Sequence, residues 1–303
     1  MEVLWFSIAA FALVIFVVLD SGDLGAGIVQ LFVCRSEVER RPIAASVKRF
    51  WDGNESWLLV SIFAVNCAER FPVNFQLNGF YPSFALGLAL LLLRGYVSVH
   101  RNDFESNRLR QLIDAGTAAT GAVLAVAFGG VLGNLIRGYA ATYLDAFAVL
   151  CGITALVVVS LQGILWMMLR AMGDFRRRCR RYAAKLWWGT AFCCLGVTVA
   201  EFAVQPRILE NLQRHSWISG FAILAMAGLI GIRLCLGVDF ELGAFASAAC
   251  LIAGLLACAA FGQLSYLPAK QPHGFDFRLL AGISALGLAV GYNFFGRRLV
   301  RAR

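Results

Sequence analysis

VLWFSIAAFALVIFVVLDSGDLGAG (residues 3–27) runs without a charge from Val3 to Leu19 and then carries two carboxylates, Asp20 and Asp23. About 20 apolar residues in a helix cross a bilayer core, and the run lacks the period of two that a half-buried strand would show. An ionised carboxylate near hydrocarbon depth costs roughly 2.5 to 3.5 kcal/mol on insertion scales, so both acids need a reason to be there. Partners, water or protons are the usual reasons.

The rest of the chain follows this opening. Of its 303 residues, 60% are hydrophobic and 15% charged, and the mean hydropathy is +0.73. The apolar residues fall in runs too long for core strands, which excludes a β-barrel and indicates an all-α polytopic membrane protein packed as helical bundles. About nine transmembrane helices are expected, near 3–31, 55–69, 79–99, 112–135, 143–169, 184–205, 217–236, 243–263 and 278–296, with the second opening upstream near Trp51. The first run lacks a basic leader and a small-residue cleavage site, so it reads as a retained span. No linker or soluble segment interrupts the spans, and residues 1–303 form a single membrane domain.

The net charge of +9 comes from basic residues between spans, so it reports topology and not nucleic-acid binding. With the connections assigned alternately to two sides, one side holds twenty-one arginines and lysines and the other six. The excess of positive charge on the cytoplasmic side places the N-terminus outside and the C-terminus in the cytoplasm. The nine cysteines lie mostly within spans without a Cys-x-x-Cys pair and read as small buried hydrophobes. Trp5, Trp51, Trp57, Trp187, Trp188 and Trp217 lie near span ends, where tryptophan usually anchors at the interface. Gly129-x-x-x-Gly133 and Gly287-x-x-x-Gly291 predict close helix contacts. Asp20-Ser-Gly-Asp23-Leu-Gly25 is faintly echoed by Gly237-Val-Asp239-Phe-Glu241-Leu-Gly243, a hint of internal duplication.

Asp20 and Asp23, at i and i+3, project from one helical face, and Gly22, Gly25 and Gly27 let another helix approach or loosen the helix end. Two close buried carboxylates can hold and release a proton near neutral pH; alternatively Lys48, Arg49 or other nearby cations neutralise them at headgroup level. Trp51-Asp52-Gly53-Asn54-Glu55-Ser56-Trp57 forms a second polar knot. Asp52 and Asn54 are good helix caps, but capping accounts for one acid and not the heptad. On the expected topology Asp20 and Asp23 meet Asp52 at the cytoplasmic side. Glu201 is a further intramembrane acid that could pair with Arg207 or line a polar cavity, while Asp114 and Asp145 read as charges at helix N-termini. His100, His215 and His273 fall at span ends or in loops, so no haem ligands and no metal ligands are expected here. The P-loop, Rossmann and zinc-protease signatures do not occur.

Val18-Leu-Asp20-Ser-Gly-Asp23-Leu-Gly25-Ala-Gly27 followed by Phe50-Trp51-Asp52-Gly53-Asn54-Glu55-Ser-Trp57 resembles subunit II of the cytochrome bd-type quinol oxidases, including the cyanide-insensitive branch. In that family the first helix ends in an Asp-Gly-Phe-Asp-x-Gly-x-Gly-like run and the second opens with Trp-Asp-Gly-Asn; Ser21 stands where Gly is usual. The motifs cover about the first sixty residues, and beyond them the likeness rests on hydropathy. The resemblance implies a heterodimer in the bacterial cytoplasmic (inner) membrane, with haems b and d in a partner, subunit I, which oxidises quinol and reduces oxygen to water. It further implies that Asp52 stands at the cytoplasmic mouth of a proton pathway, with Asp23 near it, Asp20 and Glu55 as further pathway acids, and Trp51, Gly53, Asn54 and Trp57 as motif support. Some family members hold a quinone in subunit II as a structural filler, and a small single-span subunit is a further partner the resemblance allows. The residues alone also fit a proton-coupled transporter, or a purely structural membrane subunit.

Overall fold

The computed structural model of the chain describes residues 2–47, 54–67, 81–101, 104, 106–137 and 145–262. All regular structure among them is helical: α1 (Glu2–Val33), α2 (Glu37–Val47), α3 (Glu55–Cys67), α4 (Tyr81–His100), α5 (Asn107–Ile136), α6 (Ala146–Met168), α7 (Gly173–Val204), α8 (Arg207–Arg214), α9 (Ser219–Gly237) and α10 (Glu241–Gly262). Six helical stretches are long and apolar enough to cross a membrane, and the apolar part of α4, Ala85–Ser98, is shorter. The chain is a multi-pass membrane protein. Eight of the nine expected spans coincide with helices; the ninth, 278–296, and the Gly287/Gly291 spacing lie outside the described residues.

Several helix ends depart from expectation for local reasons. α1 continues unbroken through Asp20-Ser-Gly-Asp23 to Val33, so its glycines do not loosen the helix end. α3 opens at Glu55 and not at Trp51: Asn54 is a bend, and its carbonyl accepts from the Trp57 N–H (3.0 Å) as a first helical turn requires. α7 starts at Gly173, whose φ of +55° only glycine adopts freely, so the arginine-rich stretch expected as a connection is helical. Arginine and lysine are good helix formers that hydropathy does not count. α2 was not expected. Ser36 Oγ accepts from the Glu39 N–H (3.4 Å) while Glu39 accepts from the Arg35 N–H (2.8 Å), a reciprocal cap close to the capping box. Asp145 caps α6 as read, accepting from the Phe147 N–H at 3.2 Å.

The tryptophans divide. Trp188 and Trp217 are exposed, whereas Trp5 (1% exposed) and Trp57 are core residues instead of interfacial anchors. Trp187 is half-buried and donates to the Leu229 carbonyl at 2.7 Å. The duplication hint loses its local basis: Asp239 is in the left-handed region (φ 59°) between α9 and α10, while Asp20 and Asp23 are inside a helix. The described cysteines are unpaired. Burial pushes the Cys34 thiol up to about 12, so it stays protonated.

α1 is the centre of the bundle, packed on α3, α5, α6 and α10, with α7 outside α6 and α9 against α10. Its closest approach is to α6. A Cβ on Gly25 would overlap the Val159 carbonyl, and one on Gly163 would overlap the Gly25 backbone. The Gly129/Gly133 spacing works as read: a Cβ at Gly129 would stand 2.5 Å from the Cys151 carbonyl, and one at Gly133 would stand 2.8 Å from Ala148 Cα. Lipid offers helices no hydrophobic gain on pairing, so such backbone contacts carry the association. Gly25→Ala should therefore separate α1 from α6 and lower stability by about 1–3 kcal/mol or more. Gly196→Ala, with nothing within 4 Å of the added methyl, should be neutral. Thermal unfolding of the two variants in one detergent checks the contrast.

Candidate functional site

Asp20 and Asp23 are half-buried on one face of α1, between the buried Ser21 and Gly22 and the close-packed Gly25. Arg94 meets this turn from α4. It is only 7% exposed, and its Nη2 donates to the Asp23 carbonyl oxygen at 3.0 Å. Gly27 makes the space: a Cβ there would stand 3.1 Å from that same Nη2. An arginine buried among apolar helices needs such acceptors, because desolvating an unpaired charge costs several kcal/mol.

From Arg94 a polar file descends along one face of α4 and on to Arg101 just past its end, residues 94, 98 and 101 recurring at helical spacing over about 10 Å. Ser98 and Thr117, both buried, form a hydroxyl pair at 3.4 Å. Below them the Arg101 guanidinium (3% exposed) is held by two carboxylates. It donates from Nε to Asp114 Oδ1 (2.5 Å) and from Nη2 to Asp114 Oδ2 (2.8 Å). On its other side Nη1 and Nη2 donate to Glu37 Oε1 (2.9 Å) and Oε2 (3.2 Å). Arg40 stands 3.8 Å from Asp114, so two cations face two anions and the cluster is neutral. The bond to Asp114, followed by that to Glu37, holds the Arg101 proton above the usual arginine range. The Arg101 hydrogen bond holds the Glu37 carboxyl below its usual 4.5.

The same end of the bundle carries further ion pairs: Arg178 with Glu39, Arg176 with Glu241, Arg180 with Asp239 and Arg177 with Asp174. Burial opposes the ionisation of Glu39, but the Arg35 N–H and the Arg178 guanidinium outweigh it and hold its carboxyl below the usual range. Among the described ion pairs only Arg137–Asp145 lies at the opposite end (2.7 Å).

The second motif is described in part. Trp51, Asp52, Gly53 and the side chain of Glu55 lie outside the described residues, as do Lys48 and Arg49. Asn54 is buried, and Trp57 packs in a cluster with Ala12, Phe16, Leu58 and Val60. Ser61 donates to the Ala9 carbonyl at 2.9 Å. With Ala64 near Trp5 and Trp57 near Phe16, α3 runs antiparallel to α1, and Asn54 falls near the height of Phe16, about one turn from Asp20.

Sequence reasoning missed Arg94, Arg101 and Glu37 as site residues and misread Asp114. Asp114 is not a charge at a helix N-terminus: α5 begins at Asn107, and Asp114, 2% exposed, is inside it. The available signal was Arg94 directly after Leu90–Leu93, an ionisable residue at the end of an apolar run. Glu201 is half-buried in the last turn of α7, beside the Cys151 and Cys258 thiols; the Arg207 side chain lies outside the described residues. Among the described residues no three His, Cys, Asp or Glu side chains converge as a metal site.

Residues 1–283 match the family described as cytochrome bd terminal oxidase subunit II. The chain is similar to the cytochrome bd-I ubiquinol oxidase subunit 2 of Escherichia coli K12, with 28% identity over 229 residues, 70% of this chain and 60% of that one. It is also similar to the cytochrome bd ubiquinol oxidase subunit 2 of Bacillus subtilis 168, with 29% identity over 211 residues, 66% of this chain and 61% of that one. The aligned part thus spans about three fifths of these relatives. The bd oxidase from Geobacillus thermodenitrificans shares the fold, with a TM-score of 0.74 and 17% identity over 99% of this chain and 98% of that one.

Removing one partner of the buried cluster should strand the other. Arg101→Gln is expected to destabilise by about 3–5 kcal/mol, read by thermal unfolding. Because the Glu37 carboxyl is depressed, its contribution is present above the usual 4.5 and is lost as the pH falls through its lower folded-state value. The wild type should therefore lose more stability between pH 6 and pH 3 than Glu37→Gln, an acid range set by the carboxylates.

Proposed function

The chain belongs to the cytochrome bd terminal oxidase subunit II family, and we propose that it is the haem-free subunit of a membrane quinol:oxygen oxidoreductase of the bacterial inner membrane. In this reading it packs against a haem-bearing subunit I and delivers protons from the cytoplasm to oxygen reduction. The observation that carries the reading is the row of polar side chains from half-buried Glu37 through Arg101, Asp114, Ser98 and Thr117 to Arg94, which meets the Asp23 backbone carbonyl, within an otherwise apolar bundle.

Reducing oxygen to water consumes one proton for each electron, so a proton source must reach the reacting site. The file begins at the end of the bundle where basic residues accumulate, which the charge bias assigns to the cytoplasm. Glu37 and Asp114 hold negative charge at the mouth, balanced by Arg101 and Arg40. The Ser98 and Thr117 hydroxyls can each donate and accept, so they can pass a proton. Arg94 positions the Asp23 turn and keeps a positive charge beside it. Asp20 and Asp23 then hold the proton before it leaves the chain. Asp52 and Glu55, which the family motif brings to the opening of α3, complete the route.

Haems b and d are assigned to the partner, where they would supply electron transfer and the oxygen chemistry. Of the described histidines, His100 and His215 are both exposed at helix ends, and His100 is tilted against Tyr96 with ring centroids 4.7 Å apart. Neither faces an interior where iron would be held. A structural quinone and a small single-span subunit are further components the family allows.

Asp52→Asn should slow quinol-dependent oxygen consumption about tenfold, the equivalent of about 1.4 kcal/mol on the barrier, with the haem b and d bands intact. Asp23→Asn should act in the same direction and less severely. Oxygen uptake and reduced-minus-oxidised spectra on the purified complex check both. Normal turnover in both variants would refute proton delivery, and loss of the haem bands would assign the acids to assembly.

A further inference from the structure

Where α6 ends and α7 begins, the molecule has a groove that the proton route does not use. Its volume is about 370 Å³, and its walls come from α2 (Val38, Ile43), the end of α6 (Trp166, Met167) and the start of α7 (Phe175). Met172 and Val38, both on it, are 85% and 76% exposed, unusually bare for large apolar side chains beside so many charges. The groove lies at the end of the bundle with the ion pairs, level with the termini of membrane-spanning helices. That is the headgroup region of a bilayer.

Arg170 provides the charge. Its guanidinium carbon sits over the Trp166 indole, 3.6 Å from the ring centre. A guanidinium held against an aromatic ring keeps N–H donors that suit a phosphate in bidentate fashion. Of the two acids on the groove, Glu39 is held by Arg178 and the Arg35 N–H, while Asp174 is exposed and stands 3.8 Å from Arg177. Arg170 is in no ion pair among the described residues, which leaves its guanidinium open to an anion from outside the chain. Its surroundings add to the field, since residues 170–185 contain seven arginines and lysines and one acid. Basic pockets between transmembrane helices suit anionic headgroups, and the apolar walls suit the first methylenes of an acyl chain.

We propose that this groove binds the headgroup of an anionic phospholipid, with its phosphodiester on Arg170 and its upper chain against Met172 and Phe175. The proposal needs only the multi-pass membrane fold and stands whether or not the chain delivers protons. A bound lipid would join α2 to the α6–α7 turn and so brace the helix that carries Glu37 and Glu39.

The test uses the whole complex, delipidated in mild detergent and titrated with phosphatidylglycerol or phosphatidylcholine while bound lipids are counted by native mass spectrometry. The wild type should hold one phosphatidylglycerol about tenfold more tightly than phosphatidylcholine, a difference well within the reach of one charged contact. Arg170→Gln, an exposed change that leaves the ion pairs in place, should abolish the preference. Arg181→Gln, at the same level but off the groove, should keep it. Equal retention of the two lipids, an unchanged preference in Arg170→Gln, or an equal loss in Arg181→Gln would overturn the proposal. So would displacement of the lipid by inorganic phosphate, or a quinone bound in its place regardless of Arg170.

Discussion

The contact between α1 and α6 at Gly25 and Gly163 is the constraint on which the rest of the bundle depends. Lipid gives helices no hydrophobic reason to pair, so their backbones must come close enough for dispersion to act over many atoms. Gly25 admits α6 on one side of α1. Gly27, about 200° further round the helix, admits the Arg94 guanidinium on the opposite side. The Gly-x-Gly spacing thus gives one helix two close approaches in opposite directions, and Asp23 lies two residues before the first of them. Filling either position would move the acid-bearing turn relative to both neighbours.

Electrostatics then determines what can be buried around that turn. A guanidinium in a low-dielectric bundle survives only where its donors are used. Arg101 meets this with two carboxylates in bidentate fashion, and Arg94 with a backbone carbonyl of α1. The first arrangement ties α2, α4 and α5 together; the second ties α4 to α1. Because the Arg101 cluster balances two cations with two anions, it adds no net charge to the bundle. The excess of basic residues at that end is carried nearer the surface by α7, partly paired with α2 and α10.

Much of this was legible in the sequence, because a bilayer imposes a length and a composition on whatever crosses it. The spans were placed to within a few residues wherever apolar runs met polar flanks, and the first-helix and second-helix motifs pointed to the family. Less visible was everything determined by a neighbour. Trp5 looks like an interfacial residue near a terminus, but α3 and α1 enclose it. Asp114 looks like a cap because hydropathy begins near Leu112, whereas the helix has already started at Asn107 on polar residues. Arg94 closes a leucine run within the expected span 79–99, and hydropathy does not show that it reaches the α1 backbone. The arginines of α7 looked like a connection because hydropathy cannot see a helix that extends beyond the membrane. Each of these depends on tertiary contact or on helix propensity outside the apolar run.

The central claim is directional: protons consumed in oxygen reduction enter the complex from the end that carries α2 and the arginine-rich start of α7. Measuring the pH on each side of proteoliposomes that contain the oriented complex, during quinol-driven oxygen reduction and after subtracting the protons released by quinol oxidation, tests it most directly. The account predicts net proton disappearance on the side bearing α2, slowed when Asp23 is replaced by Asn. Disappearance from the opposite side, at a rate indifferent to Asp23, would contradict it.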